Sequence, residues 1–233
     1  MLEDLKARVC EANLALQRAG LVLLTWGNVS GRDPNTGLVV IKPSGVSYGE
    51  MQPEQMVVVD PEGVVVEGDL RPSSDTPTHL VLYSAFTGVG GVAHTHSTYA
   101  TAWAQAGRAL PCFGTTHADS FRGTIPVTAP MPAEAILGDY EVETGHAIVR
   151  AFAEVAPSEV PAVLVAGHGP FTWGPSAEHA VENSIVLEQV ALCGLLTRGL
   201  APEANGISKV LLDKHFLRKH GTGAYYGQPG ERA

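Results

Sequence analysis

Gly90-Gly91-Val92-Ala93-His94-Thr95-His96-Ser97-Thr98 is the stretch from which the fold of this chain is read. Side chains of an extended strand alternate between faces, so His94 and His96, two apart, would turn both imidazoles to one side of a strand end. Such a pair is half a metal site or simply two polar residues where a strand stops, and the pair alone leaves both readings open.

Working outward, Ser97 and Thr98 lead into a helix predicted from Thr98 to Gln105, and His79 to Phe86 on the other side reads as a helix. Its start lies in Arg71-Pro72-Ser73-Ser74-Asp75-Thr76-Pro77, where hydroxyl and carboxylate residues precede a proline suited to a first helical turn. Upstream, the β-branched runs Leu38 to Lys42, Met56 to Asp60 and Val64 to Glu67 predict three strands separated by proline and glycine turns. Leu2, Leu5, Val9, Ala12 and Leu16 recur at helical spacing, which predicts an amphipathic helix over 2 to 19 closed by Gly20. Between that helix and the first predicted strand, Thr25 to Ser30 reads as a turn.

Downstream, residues 107 to 146 are rich in Gly, Pro and Thr and include Gly114-Thr115-Thr116-His117-Ala118-Asp119 and Asp139-Tyr140-Glu141-Val142-Glu143. Segments of this kind often carry function on loops held by a rigid scaffold. Gly145 to Val155 predicts a helix, and Ala162 to Ala166 a buried strand running into Gly167-His168-Gly169-Pro170. Ser176 to Leu196 predicts a long helix with Ala180, Ile185, Leu187, Val190, Leu192 and Leu195 on its apolar side. A basic tail ends in Tyr225 and Tyr226. Short strands mixed with helices, without repeat or linker, predict one α/β domain over 1–233: three layers, with a central mixed or antiparallel sheet between helices.

Composition bounds the function. The chain has 233 residues, 45% hydrophobic and 17% charged, enough apolar material for a core of its own. A net charge of -9 argues against a nucleic-acid groove or an anionic membrane surface as partner. The N-terminus lacks a signal-peptide pattern, and no apolar run approaches the ~20 residues that span a bilayer, so a cytoplasmic location is expected. Cys10, Cys112 and Cys193 are odd in number and far apart, which fits reduced packing residues rather than a disulfide framework or a thiolate metal site.

Two constellations carry chemistry. His168 repeats the strand-then-loop context of His94, so His94, His96 and His168 with one carboxylate would make a three-histidine site with an open position. Asp75 is the candidate carboxylate, and its competing role is a helix N-cap. Such donors suit Zn2+, with Mn2+ or Co2+ possible. The second constellation is three short turns, Gly27-Asn28, Lys42-Pro43-Ser44-Gly45 and Ser73-Ser74. Amide N–H groups, serine hydroxyls and one lysine are the donors a phosphate needs. His117, His179 and His220 lack a spaced partner and read as structural or solvated.

Taken together, Thr25-Trp-Gly-Asn-Val-Ser30, Ile41-Lys-Pro-Ser-Gly45, Pro72-Ser-Ser-Asp-Thr-Pro-Thr-His79, His94-Thr-His96, Gly114 to Asp119, Gly167-His-Gly-Pro-Phe171, Leu211 to Gly221 and Ala224-Tyr-Tyr-Gly-Gln228 resemble the L-ribulose-5-phosphate 4-epimerases of the class II aldolase/epimerase superfamily. The resemblance implies a divalent ion held by His94, His96 and His168 with Asp75 close by. It also implies a phosphate site at Gly27, Asn28, Lys42, Ser44, Gly45, Ser73 and Ser74, and an acid/base pair of Asp119 and Tyr226. By the same resemblance the protein would be a homotetramer of arabinose catabolism acting on a phosphorylated ketopentose. The tail from about residue 207, with His215, would reach a subunit interface and deliver the tyrosine to a neighbouring site. One departure is Ala166 and Gly167 before His168, where the family carries a polar residue and often a second histidine, which bears on what supports His168.

The implied reaction inverts C4 of L-ribulose 5-phosphate to give D-xylulose 5-phosphate. C4 is not adjacent to the C2 carbonyl, so direct deprotonation gives an unstabilised carbanion. Cleavage of C3–C4 instead leaves an enediolate and glycolaldehyde phosphate, whose aldehyde rotates before the bond re-forms. Rival readings are a class II aldolase of the L-fuculose or L-rhamnulose 1-phosphate type, a related dehydratase, and a non-catalytic adducin-like interaction module. Aldolases tend to carry Glu after the two serines, where this chain has Asp75.

Overall fold

A computed structural model describes residues 1–227, built around one seven-stranded sheet. The elements in chain order are α1 (Glu3–Arg18), β1 (Asn28–Arg32), β2 (Val39–Ile41), β3 (Val57–Val59), β4 (Val65–Glu67), α2 (Thr76–Ala85), β5 (Gly91–His94), α3 (Thr98–Gln105), α4 (Thr115–Ala118), α5 (Ala133–Leu137), α6 (Tyr140–Ala151), β6 (Ala162–Leu164), β7 (Pro170–Gly174), α7 (Ala177–Leu200) and α8 (Lys209–His220). The sheet order is β4-β3-β2-β1-β5-β7-β6, and every neighbouring pair is antiparallel. The sheet is thus antiparallel rather than mixed.

Alternation along the strands places a core on each face. Val39, Ile41, Val57, Val59, Val92 and Trp173 join one cluster with residues of α2, α3 and α6, while Val40, Val58 and Ala93 join the other with α1. Valine-rich strands without polar alternation are what strands buried on both faces require, as in β2 and β3, whereas Val65 and Val66 of the edge strand β4 are exposed. α7 serves both cores, with Ala177, Ala180 and Val181 in one and Leu187, Val190 and Ala191 in the other.

The glycine pair of the opening stretch is explained by α7. A Cβ on Gly91 would lie 2.3 Å from the Ala177 nitrogen, and one on Gly90 would lie 2.2 Å from the Pro175 oxygen. The start of α7 therefore sits directly on the backbone of β5.

Several expectations are corrected. Thr25 to Ser30 is not wholly a turn, because Asn28 to Ser30 open β1, which pairs with both β2 and β5. β7 is a strand that the sequence reading lacks: Gly167, at φ 73, lets His168 and Gly169 close a tight turn, with the Val165 N–H donating to the Gly169 oxygen, and the chain returns as a strand. Ile185 and Leu195 of α7 are exposed, since its buried line runs through Ser184, Leu187, Ala191 and Gly194 instead. α7 is itself long and apolar enough by composition to span a bilayer, yet it packs on β5, β7, α1 and α3 as a core helix. The basic tail forms α8 over Lys209–His220, and Gln228 with the rest of the tail lies outside the described residues.

Candidate active site

β5 delivers His94 at its last position, and the chain leaves the strand there, so His96 stands in the loop before α3. The two imidazoles still meet, with Nε2 atoms 3.0 Å apart. His168 arrives from the β6–β7 turn, its ring centroid 4.7 Å from that of His94 and 5.1 Å from that of His96. Gly169 permits this approach: a Cβ there would lie 2.7 Å from the Thr95 oxygen and 3.5 Å from His94 Cε1.

The donor set fits a divalent ion. One nitrogen from each of the three histidines lies within 4.8 Å of the others, and a zinc ion with bonds of about 2.1 Å at tetrahedral angles spaces its nitrogens by roughly 3.4 Å. His94 Nδ1 donates to the Pro170 oxygen at 2.9 Å, which leaves the lone pair on Nε2, the nitrogen facing His96. Burial pushes the His94 pKa down to about 3, so the ring is neutral, as a ligand must be. His168 Nδ1 lies 3.5 Å from the Tyr140 hydroxyl. Tyr140 is the side chain nearest to that nitrogen where the residues before His168 offer no polar group.

Asp75 occupies the N-cap position of α2, but its carboxylate makes no capping bond. Its Oδ2 accepts instead from Asn28 Nδ2 at 2.7 Å. Burial pushes the Asp75 carboxyl up, and positive charge on the imidazoles wherever they are protonated, together with the hydrogen bond from the Asn28 amide, outweighs this and leaves it below its ordinary pKa. Asn28 is 2% exposed, and its Oδ1 is buried with no hydrogen-bond partner among the described residues. A buried acceptor without a donor is costly, so this oxygen calls for a donor from a water or a bound group in the cleft.

These residues line one cleft of about 350 Å³. The three histidines and Asp75 form part of it, and the three predicted turns, Gly27-Asn28, Lys42 to Gly45 and Ser73-Ser74, form the rest. The turns are tied together, because Ser73 N–H donates to the Lys42 oxygen at 3.0 Å and Ser44 N–H to the Arg71 oxygen at 2.9 Å. Lys42 is 2% exposed, and among the described residues its Nζ donates to the Thr25 and Pro43 oxygens, each at 3.3 Å. Burial lowers its pKa to about 8. A buried ammonium with neutral neighbours in a cleft of amide and hydroxyl donors favours an anion. Trp26, 6.2 Å from the His96 ring, also lines the cleft and is a site residue that the sequence reading lacks.

Asp119 and Tyr226 do not line this cleft. Asp119, following α4, accepts from Arg218 Nη2 at 2.7 Å and from His215 Nδ1 at 3.0 Å, both on α8. Slight burial raises its pKa, but Arg218 and His215 more than offset this and hold it below the usual carboxylate range. The Arg218 guanidinium lies 5.2 Å from the Tyr226 ring, so the two expected proton-transfer residues gather on one arginine of their own chain. His117 is buried with Nε2 2.8 Å from the Gly123 oxygen, a structural contact, while His220 Nε2 lies 2.9 Å from the Asp119 oxygen.

Comparison with known proteins agrees with the geometry. Residues 7–195 match the family described as Class II Aldolase and Adducin N-terminal domain. The chain is 54% identical over 227 residues, 97% of its length and 100% of the relative's, to L-ribulose-5-phosphate 4-epimerase UlaF of Salmonella paratyphi C (strain RKS4594), and at the same level to that of Salmonella typhi. Among solved structures it is similar to an L-fuculose 1-phosphate aldolase, with TM-score 0.78, 25% identity and coverage of 91% of this chain and 94% of the other. The L-fuculose-1-phosphate aldolase of Thermus thermophilus gives 0.67 at 26% identity, covering 88% and 100%. The α/β fold, the antiparallel sheet and the match over most of the sequence lead to one conclusion: the chain belongs to the class II aldolase family.

Proposed function

We propose that the protein is an L-ribulose-5-phosphate 4-epimerase, interconverting L-ribulose 5-phosphate and D-xylulose 5-phosphate by cleavage of C3–C4, rotation of glycolaldehyde phosphate and re-addition. The observation that carries this reading is 54% identity along the full length of a relative of that name. The cleft supports it, because an ion-binding donor set and an anion-binding cradle share one opening.

His94, His96 and His168, with Asp75 nearby, would hold the divalent ion, taken here as Zn2+ with Mn2+ or Co2+ as alternatives. When bound, that ion is a Lewis acid that stabilises negative charge on the C2 and C3 oxygens of the ketose, a contribution of several kcal/mol. Lys42, the Ser44, Ser73 and Ser74 hydroxyls and the Gly27 to Asn28 and Gly45 turns would grip the phosphate. That grip keeps the aldehyde fragment in place while it rotates, and without it the enzyme would release its fragments as an aldolase does.

The C4 oxygen lies on one face before rotation and on the other afterwards, so proton transfer needs a group on each side. Asp119 and Tyr226 are assigned these roles, each worth on the order of 10²–10⁴-fold. Their separation from the cleft of their own chain supports delivery from a neighbouring copy, and their shared contact with Arg218 means that both would arrive together. Exposed Leu23, Leu24 and Trp26 beside the cleft, and exposed Val210, Leu217 and Tyr225 on and after α8, are apolar surface for such an assembly, assigned here as a homotetramer in the cytoplasm with the tail at its interface.

The test is turnover of L-ribulose 5-phosphate before and after chelation, with Zn2+ or Mn2+ restored. Metal-dependent interconversion without net glycolaldehyde phosphate is the expected result. Net cleavage would hand the site to the aldolase reading, and a metal-loaded protein inert toward both reactions would remove the substrate assignment.

A further inference from the structure

Tyr48 is 2% exposed, stands in a single 3-10 turn at Tyr48–Glu50, and is distant in sequence from every group assigned to the cleft except the Lys42 turn. Its hydroxyl is 2.9 Å from the Trp26 oxygen and 2.9 Å from the Gly27 oxygen, and burial pushes its pKa above the usual phenol value, so it stays a donor. The Lys42 Nζ lies 5.1 Å from its ring centroid and itself donates to the Thr25 oxygen. Lys42 thus holds the Thr25 carbonyl, and the single hydroxyl proton of Tyr48 is shared between the Trp26 and Gly27 carbonyls, the two side chains facing each other. Because a trans peptide points its N–H opposite to its C=O, holding the Trp26 oxygen against Tyr48 turns the Gly27 N–H the other way. Gly27 accepts this shape at φ 76, and a Cβ there would lie 2.8 Å from the His94 oxygen, so the turn has no slack on that side.

We propose that Tyr48 is a positioning residue of the anion cradle: it fixes the turn through the Trp26 and Gly27 carbonyls and seats the Lys42 ammonium against its ring. The proposal rests on the sugar-phosphate reading of the cleft. It assigns Tyr48 an effect on phosphate grip and none on proton transfer.

The test uses zinc-loaded full-length protein and Tyr48→Phe, which removes only the hydroxyl. Binding of inorganic phosphate is measured by calorimetry, alongside KM, kcat and glycolaldehyde phosphate released per epimerisation. Loss of one buried donor predicts phosphate affinity weakened about tenfold, a matching rise in KM, a smaller change in kcat and a larger released fraction. A purely structural role would lower the melting temperature while leaving phosphate affinity and KM unchanged in the folded variant, and that result would overturn the proposal. If the phenylalanine variant does not fold, 4-aminophenylalanine, whose N–H is a weaker donor than the phenol O–H, is compared at position 48 with 3-fluorotyrosine, whose O–H is a stronger one. A phosphate affinity that follows donor strength supports the proposal, and the same affinity in both folded proteins refutes it. Wild-type protein that binds phosphate but epimerises nothing sinks the substrate assignment and leaves this test standing. Wild-type protein that binds no phosphate sinks the cradle and this proposal with it.

Discussion

At the scale of single residues, Lys42 shows how burial sets a working range. It is protonated in the free cleft below about pH 8, and its anion grip is lost as pH rises through that value. The alkaline limb of kcat/KM is therefore expected near pH 8, and Lys42→Met is expected to abolish it along with most phosphate affinity, as read from pH–rate profiles. The stability sign is opposite. The folded pKa lies below the ordinary 10.5, so between these values the unfolded chain binds more protons and unfolding free energy increases with pH, which urea titrations at about pH 7.5 and about pH 9.5 would register. Tyr140 and Gly169 act on the histidines. Tyr140→Phe removes the hydroxyl beside His168 Nδ1 and is expected to weaken zinc binding about tenfold, the low end for such support given a 3.5 Å contact. Gly169→Ala forces the Thr95 carbonyl away and is expected to yield protein with markedly less bound zinc by elemental analysis.

At the scale of elements, the decisive contact is α7 on β5. Gly91→Ala would place a methyl group within 2.3 Å of the Ala177 backbone, where no side chain can yield, and should destabilise the fold by roughly 1–3 kcal/mol or more in urea unfolding. The periodic helices are legible in the sequence, since α1 follows its stripe and ends before Gly20 at φ 71. β1 and β7 are not, because each opens on turn chemistry: Gly27-Asn28 before one and His168-Gly169-Pro170 before the other. Their strand character comes from pairing on both edges, which local propensity does not record.

At the scale of the whole molecule, the net charge of -9 is compatible with the proposed anion cradle, because Lys42 and amide donors act locally where the global field is screened. The proposed completion of each site by a neighbouring copy makes a clear prediction. His96→Asn and Tyr226→Phe should each be inactive alone, and after mixing by unfolding and reassembly, activity should return to on the order of a quarter of wild type if each site draws on two chains. No recovery would place all groups of each site on one chain.

By itself the sequence determined α1, α2, α3, α7 and the later part of α6, the valine strands and the candidate status of the three histidines and three turns, because these depend on residue type and short spacing; the short α4 and α5, the start of α6 at Tyr140 and α8 carry no such periodic signal. The tertiary structure alone decided that His96 reaches His94 after the strand has ended, that Asp75 faces Asn28 instead of capping α2, and that Asp119 is held by Arg218 across 99 positions of chain. It also brought Tyr48 against the Trp26 and Gly27 carbonyls. Most of these partners are far apart in the chain and meet through sheet pairing and helix packing, for which no periodicity along the sequence carries a signal.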